Sequence, residues 1–111
     1  MIPATAANLD AAGVGIAHHF GGGAYIKETC IPAGCALAQH AHDHDHLSVL
    51  VSGEVVLTVD GVSTVHAGPK VLTIEKNKIH TVYAIQDSIW LCVWATKETD
   101  PQKVDESILK G

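Results

Sequence analysis

The chain has 111 residues, a formal net charge of −5 with histidine neutral, and 47% hydrophobic residues. This length fits one domain, which buries roughly 65% of the unfolded surface on folding and so forms a single core. Acidic residues outnumber basic ones and no basic run occurs, which excludes the electrostatic footprint of a nucleic-acid or anionic-membrane binder. Charged residues make up only 17% of the chain, a share low enough to predict apolar surface that meets a partner.

The N-terminal residues 1–23 are rich in alanine and glycine, and we interpret them as an arm or edge segment. From residue 24 onward, short strand patterns alternate with turn residues, among which Asp60-Gly61 is a strong hairpin signal. The predicted strands cover residues 24–31, 36–42, 46–51, 55–59, 62–65, 71–74, 79–85 and 89–96. So many short strands favour an antiparallel β-sandwich or barrel.

Residues 97–111 are predicted to contain a short C-terminal helix. Asp100 is a suitable N-cap and Pro101 suits the first helical position. Val104 and Ile108 are four residues apart, so together they could dock one apolar stripe on the barrel.

Two predicted strands, residues 47–51 and 89–95, are apolar on both faces, whereas a strand with one face in solvent alternates. The second face needs cover from the tail, from the arm or from another subunit, and we expect a homodimer.

The three cysteines, Cys30, Cys35 and Cys92, form no Cys-x-x-Cys pair, and an odd number favours free thiols in a reducing compartment. The N-terminus lacks the charged start and apolar core of a signal peptide, and no stretch is long enough to span a bilayer. We therefore expect a soluble cytoplasmic protein.

Four histidines alternate in one short run, at positions 40, 42, 44 and 46. Residues two apart on a strand point to the same side, so His40 and His42 would aim two imidazoles at one point. Imidazole is the commonest metal ligand in proteins, and this pattern predicts a metal site. Asp43-His44-Asp45 is predicted to be a turn, so we expect His44 not to be a ligand.

The spacing of these histidines is specific. Gly34 is followed after five residues by His40-x-His42, then after three by His46, and after six more by Gly53. This resembles the first motif of the cupin superfamily, Gly-x5-His-x-His-x3-Glu-x6-Gly, with His46 in the place of the usual glutamate. A weaker match to the second motif, Gly-x5-Pro-x-Gly-x2-His-x3-Asn, aligns His80 with its histidine. The positions of the motif's proline, second glycine and asparagine hold Glu75, Asn77 and Ala84.

The resemblance implies an all-β, single-domain cupin-type antiparallel barrel (jelly roll) over residues 24–96, between an N-terminal arm (1–23) and a tail (97–111). It also implies the metal ligands His40, His42, His46 and His80. Strand alternation and the predicted turn also support the assignment of the first three as ligands, since His46 begins the strand that returns across the turn. The assignment of His80 depends on the resemblance alone.

Strand alternation gives candidate pocket residues. Ser48 and Leu50 share the face of His46, and Val82 shares that of His80. Further candidates are Tyr83, Trp90 and Trp94, although alternation does not decide which face of residues 89–96 is internal. No residue is assigned a catalytic role.

Imidazole ligands suit a divalent transition metal, and Fe, Ni, Zn, Mn and Cu stay open. Four neutral ligands would leave the full 2+ charge on the ion, which favours an anionic small-molecule ligand. The resemblance implies an enzyme of the dioxygenase, isomerase or lyase type that acts on a small organic acid or carbonyl compound. The alternatives are a non-catalytic binding module and a structural metal barrel, which a closed four-coordinate zinc site would indicate.

Overall fold

The computed structural model describes residues 14–39, 45–75 and 77–95 of the chain, and within these ranges the secondary structure is all β. The strands are, in chain order, β1 (Gly15–Gly21), β2 (Ala24–Ile31), β3 (Ala36–Gln39), β4 (His46–Ser52), β5 (Glu54–Val59), β6 (Val62–Ala67), β7 (Lys70–Ile74), β8 (His80–Ala84) and β9 (Ser88–Ala95). They form a five-stranded sheet, β1-β2-β9-β4-β7, and a four-stranded sheet, β3-β8-β5-β6. The predicted antiparallel all-β class is therefore confirmed, while the predicted C-terminal helix lies outside the described residues.

Local turn chemistry accounts for several strand boundaries. Asp60 and Gly61 have φ angles of 49° and 81°, and they join β5 to β6 so that Val59 pairs with Val62. Positive φ at both central residues is the type I′ pattern that matches the twist of a hairpin. The predicted two-residue turn is thus confirmed. No helix long and apolar enough to cross a membrane is found among the described residues.

The residues of β1 belong to the predicted arm or edge segment, and in the structure they form an edge strand. β1 pairs with β2 along its whole length, from Gly15 opposite Cys30 to Gly21 opposite Ala24. Its sequence, Gly-Ile-Ala-His-His-Phe-Gly, has little strand propensity, so β1 is stabilised by the backbone ladder to β2 and by cross-strand side-chain contacts such as Phe20 on Tyr25.

The core lies between the two sheets, and β9 shows which of its faces is internal. Trp90, Cys92 and Trp94 are buried, whereas the alternate residues Ile89, Leu91 and Val93 are only partly buried. The facing sheet supplies Val55, Leu57, Val82 and Ala84 to the same core cluster. Both tryptophans therefore point into the barrel.

The outer face of the five-stranded sheet is also apolar, as the sequence predicted for β4. Val49 pairs with Leu91 on one side and with Val71 on the other. Leu47 and Val71 are 48% and 62% exposed. This face leaves apolar side chains in contact with solvent in the isolated chain.

Candidate metal centre

Two of the four predicted ligands meet inside the barrel. His46 is the first residue of β4 in one sheet, and His80 is the first residue of β8 in the other. Their exposed fractions are only 5% and 1%, and their ring centres are 6.2 Å apart. Both strands begin at the same end of the barrel, so the two imidazoles converge there from opposite walls.

The distance between these rings is compatible with one shared metal ion. A metal about 2.1 Å from one nitrogen of each ring lies about 3.2 Å from each ring centre. Two rings that bind one ion therefore have centres at most about 6.4 Å apart, and the 6.2 Å separation falls within that limit. The separation of the two rings is near the upper end of that range, and both rings offer the imidazole nitrogen donors that transition metals prefer.

The surroundings of His46 favour the ligand form of its ring. The Nδ1–H group donates a hydrogen bond to the carbonyl oxygen of Leu47 at 3.2 Å, and because a carbonyl only accepts, the lone pair belongs to Nε2. A backbone carbonyl that fixes the tautomer in this way is a common partner of metal-bound histidine. Burial lowers the pKa of His46, outweighing the hydrogen bond to Leu47 and the charge of Asp45, both of which raise it. The ring is therefore neutral at neutral pH.

Trp94 forms the wall beside this pair. Its ring centre is 4.6 Å from that of His46. Tyr25 stacks on Trp94, with ring centres 5.5 Å apart and planes inclined by 15°. Tyr25 is fully buried, and its hydroxyl group lies 2.7 Å from Nδ1 of His18 on the edge strand. Neither Tyr25 nor His18 is among the site residues predicted from the sequence. The cross-strand pairing of Tyr25 with Trp94 has no local sequence signal, because β2 and β9 are far apart in the chain.

The remaining pocket candidates separate into three groups. Ser48 lies on the interior face next to His46, where its hydroxyl group donates to Sγ of Cys92 at 3.6 Å. Leu50, Val82 and Trp90 are fully buried members of the core. Tyr83, by contrast, lies on the outer face of its sheet and is 44% exposed, so the structure does not bring it to the histidine pair.

His40, His42 and His44 lie outside the described residues, and so does the predicted turn at Asp43-His44. Within the described ranges, no group of three or more histidine, cysteine, aspartate or glutamate side chains is placed to hold a metal ion. The described part of the chain thus contributes two of the four predicted ligands.

A cavity of about 470 Å³ lies at this end of the barrel. Its described lining consists of Asp45, His46, Leu47, Thr73, Val93, Trp94 and Ala95. His46 and Trp94 come from the interior face, whereas Leu47 and Val93 come from the outer face, so the cavity lies at the rim. Asp45 is the acidic side chain among these lining residues.

Comparison with solved structures identifies the architecture. A cupin superfamily protein from Desulfitobacterium hafniense is 19% identical, with a TM-score of 0.66, and the match covers 76% of this chain and 78% of that one. KdgF from Halomonas is 13% identical with a TM-score of 0.67, covering 81% and 85% of the two chains. A predicted oxalate decarboxylase from Thermotoga maritima is 17% identical with a TM-score of 0.62, covering 72% and 77%.

No model of a known protein family matches the sequence, and no curated protein matches it either. The structural likeness nevertheless establishes that this chain has the cupin fold, and the fold expected from the histidine spacing is confirmed.

Proposed function

We propose that this protein is a metal-dependent cupin enzyme whose metal is held by His40, His42, His46 and His80. The observation that carries the proposal is the convergence of His46 and His80, two buried imidazoles from opposite sheets with ring centres 6.2 Å apart. Imidazole nitrogens that converge inside a barrel are the kind of donor that a divalent transition metal binds.

The proposal places a definite requirement on the chain after β3. Leu37 pairs with Val82 and packs against the core, so unbroken alternation would send odd-numbered positions inward. His40 and His42 occupy even-numbered positions, and therefore the chain must break its alternation beyond Gln39, where β3 ends. The proposal requires this break in order for both imidazoles to face His46 and His80.

The bound metal would act as a Lewis acid that polarises a carbonyl or carboxylate oxygen of the substrate. Residues of the chain would orient the ligands and limit the access of water to the metal. The Leu47 carbonyl fixes the tautomer of His46, and Trp94 closes one side of the site against water. The four neutral ligands would leave the full charge of the ion to attract an anionic substrate.

The proposed substrate is based on these ligands and on the fold. We assign to it a small organic acid or carbonyl compound, and to the reaction a dioxygenase, isomerase or lyase type. One structural neighbour is described as a predicted oxalate decarboxylase, and oxalate is a small carboxylate. The rim cavity of about 470 Å³ is within the usual range for small-molecule sites.

Metal analysis of protein purified without a histidine tag tests this proposal. We expect about one Fe, Ni, Mn, Cu or Zn ion per chain, and X-ray absorption that shows imidazole nitrogen ligands together with at least one exchangeable oxygen. A four-coordinate zinc ion with four nitrogen ligands would instead indicate a structural barrel. Protein that binds less than a tenth of an equivalent would contradict the metal site itself.

Substrate binding without turnover would favour the alternative of a binding module. Titration of the metal-loaded protein with small carboxylates, followed by product analysis, separates the two functions.

We also expect a homodimer in the cytoplasm. The exposed apolar side chains of Leu47 and Val71 on the outer face of the five-stranded sheet support self-association. Light scattering coupled to size exclusion should give twice the chain mass. Leu47→Lys, which adds a like charge to both copies of a symmetric interface, should shift the protein towards the monomer, and an unshifted dimer would exclude this face.

A further inference from the structure

The inner face of the five-stranded sheet carries two buried polar groups that lie side by side. Thr29 on β2 and Trp90 on β9 are both fully buried, and they are directly opposite each other in the ladder between these strands. Their Cβ atoms are therefore about 5 Å apart. Neither Oγ1 of Thr29 nor Nε1 of Trp90 has a hydrogen-bond partner among the described residues. Because an unsatisfied donor inside a protein is costly, the pair indicates an acceptor that comes from outside the chain.

A cation lies on the same face, next to this pair. Lys27 is two residues before Thr29 on β2, so both side chains project from the same side of the sheet. Lys27 is half-buried, and within the described ranges it forms no ion pair. Glu28, the one acidic residue of β2, lies on the opposite face, where it bonds His19.

The neighbouring strands supply no counter-charge on this face either. Their interior positions hold only uncharged groups or imidazoles: Ser88, Trp90, Cys92 and Trp94 on β9, and His46, Ser48 and Leu50 on β4. In the part of the chain that the structure describes, this region of the inner wall thus has a positive charge and no acidic side chain to balance it.

We infer that Lys27, Thr29 and Trp90 form a binding site for a small anion on the inner wall of the barrel. The ammonium and indole groups can only donate hydrogen bonds, and the hydroxyl group can donate as well. A water molecule would accept from Thr29 and Trp90 but would leave the charge of Lys27 unbalanced, whereas an anion satisfies all three groups. The ligand is a halide ion or the carboxylate group of a small organic acid, since both accept several hydrogen bonds at once.

This site is separate from the histidine pair and goes beyond the proposed function. Trp90 is four residues before Trp94, the residue beside His46, which is about 13 Å along β9. The anion site therefore does not depend on a bound metal. Lys27 lies opposite His18 of the edge strand and is only half-buried, so the site is not sealed from solvent.

Thermal unfolding of the full chain as purified tests the site. Sodium chloride or sodium formate replaces sodium gluconate, a salt of a bulky anion, at constant total sodium. A ligand that binds only the folded state raises Tm with its concentration, and we expect a rise of about 4 °C between 0 and 100 mM of the small anion. A rise with both salts indicates a general small-anion site, and a rise with formate alone identifies a carboxylate site. No rise with either salt would overturn the inference.

Matched variants locate the bound anion. Thr29→Val keeps the shape of the side chain and should remove at least half of the rise. In gluconate it should be at least as stable as the unchanged protein, because an unpaired buried hydroxyl group is lost. Lys27→Met should abolish the rise, whereas Lys70→Met, which removes an exposed lysine of β7, should retain it. An undiminished rise in both Thr29→Val and Lys27→Met would show that the anion binds elsewhere and contradict the site.

The indole N–H resonance of Trp90 gives a direct readout. The chain has two tryptophans, so the resonance that remains in Trp94→Phe belongs to Trp90. We expect it to shift and saturate with chloride or formate, and a resonance that does not move would exclude Trp90 from the site. Removal of metal with a chelator should leave the rise in Tm unchanged. Loss of the rise on chelation would overturn the anion site, whereas protein without metal that keeps the rise would contradict only the proposed function.

Discussion

Gly53→Ala is expected to lower the free energy of unfolding by about 3 kcal/mol or more, which corresponds to a fall in Tm of about 15 °C. Gly53 joins β4 to β5 with φ at +96°, a conformation that costs a residue with a side chain about 1–3 kcal/mol. A Cβ atom there would also overlap Oγ of Ser88 and lie 2.5 Å from the carbonyl oxygen of Asp87 and 2.7 Å from Cα of Ser88. These atoms belong to β9 and the turn before it, so relief of the overlap would move the central strand of the sheet.

Gly34 provides a matched control for this substitution. Its φ angle is +85°, close to that of Gly53, but a Cβ atom there would meet nothing within 4 Å. Gly34→Ala should therefore cost only the backbone strain, about 1–2 kcal/mol. Urea denaturation of both variants measures the difference. Equal losses would show that the turn at Gly53 can move away from Ser88 at little cost.

His80→Ala is expected to weaken binding of a divalent transition metal by at least about 100-fold, since changes to groups that only orient ligands already cost about 10–100-fold. His80 is 1% exposed and faces His46 across the barrel. Competition with a chromophoric chelator gives the affinity. His80→Gln preserves most of the buried volume, so an equal loss in that variant would assign the effect to the missing imidazole rather than to a cavity.

Two other histidines serve as controls for His80. His66 lies on β6, where its Nε2 atom is 2.8 Å from Oγ1 of Thr64, and His66→Ala should leave the affinity within about threefold. His44→Ala should also have little effect, because the sequence assigns His44 to a turn. Comparable losses in all of these variants would indicate adventitious binding by scattered histidines instead of one built site.

The sequence predicted most of the strands because their signals are local. β2 begins and ends at the predicted residues, and β4 extends only one residue beyond its prediction. Alternating burial along β4 confirms that His46, Ser48 and Leu50 share the interior face. Such signals come from turn residues and from a period of two, both of which are visible within a few positions.

Local sequence signals do not predict the structure where pairing with a distant strand determines it. The residues of β1 form a strand because their backbone pairs with the edge of β2, whereas their side chains have little intrinsic strand propensity. In β9 both sets of alternate residues are apolar, so only the register to Tyr25 and Ser48 shows that the tryptophans face inward. Tyr83, considered as a pocket residue, lies on the outside because Val82 takes the interior position.

Local sequence patterns are enough to predict the all-β class and the kind of metal that a site of histidines would bind, and they contain the cupin spacing of Gly34, His40, His42, His46 and Gly53. Only the packing of the two sheets shows that His80 meets His46 at one end of the barrel, and that Trp94, Tyr25 and His18 lie in consecutive contact from there to β1. Propensity and alternation act between near neighbours in the chain, whereas the two sheets bring together residues that no local rule connects.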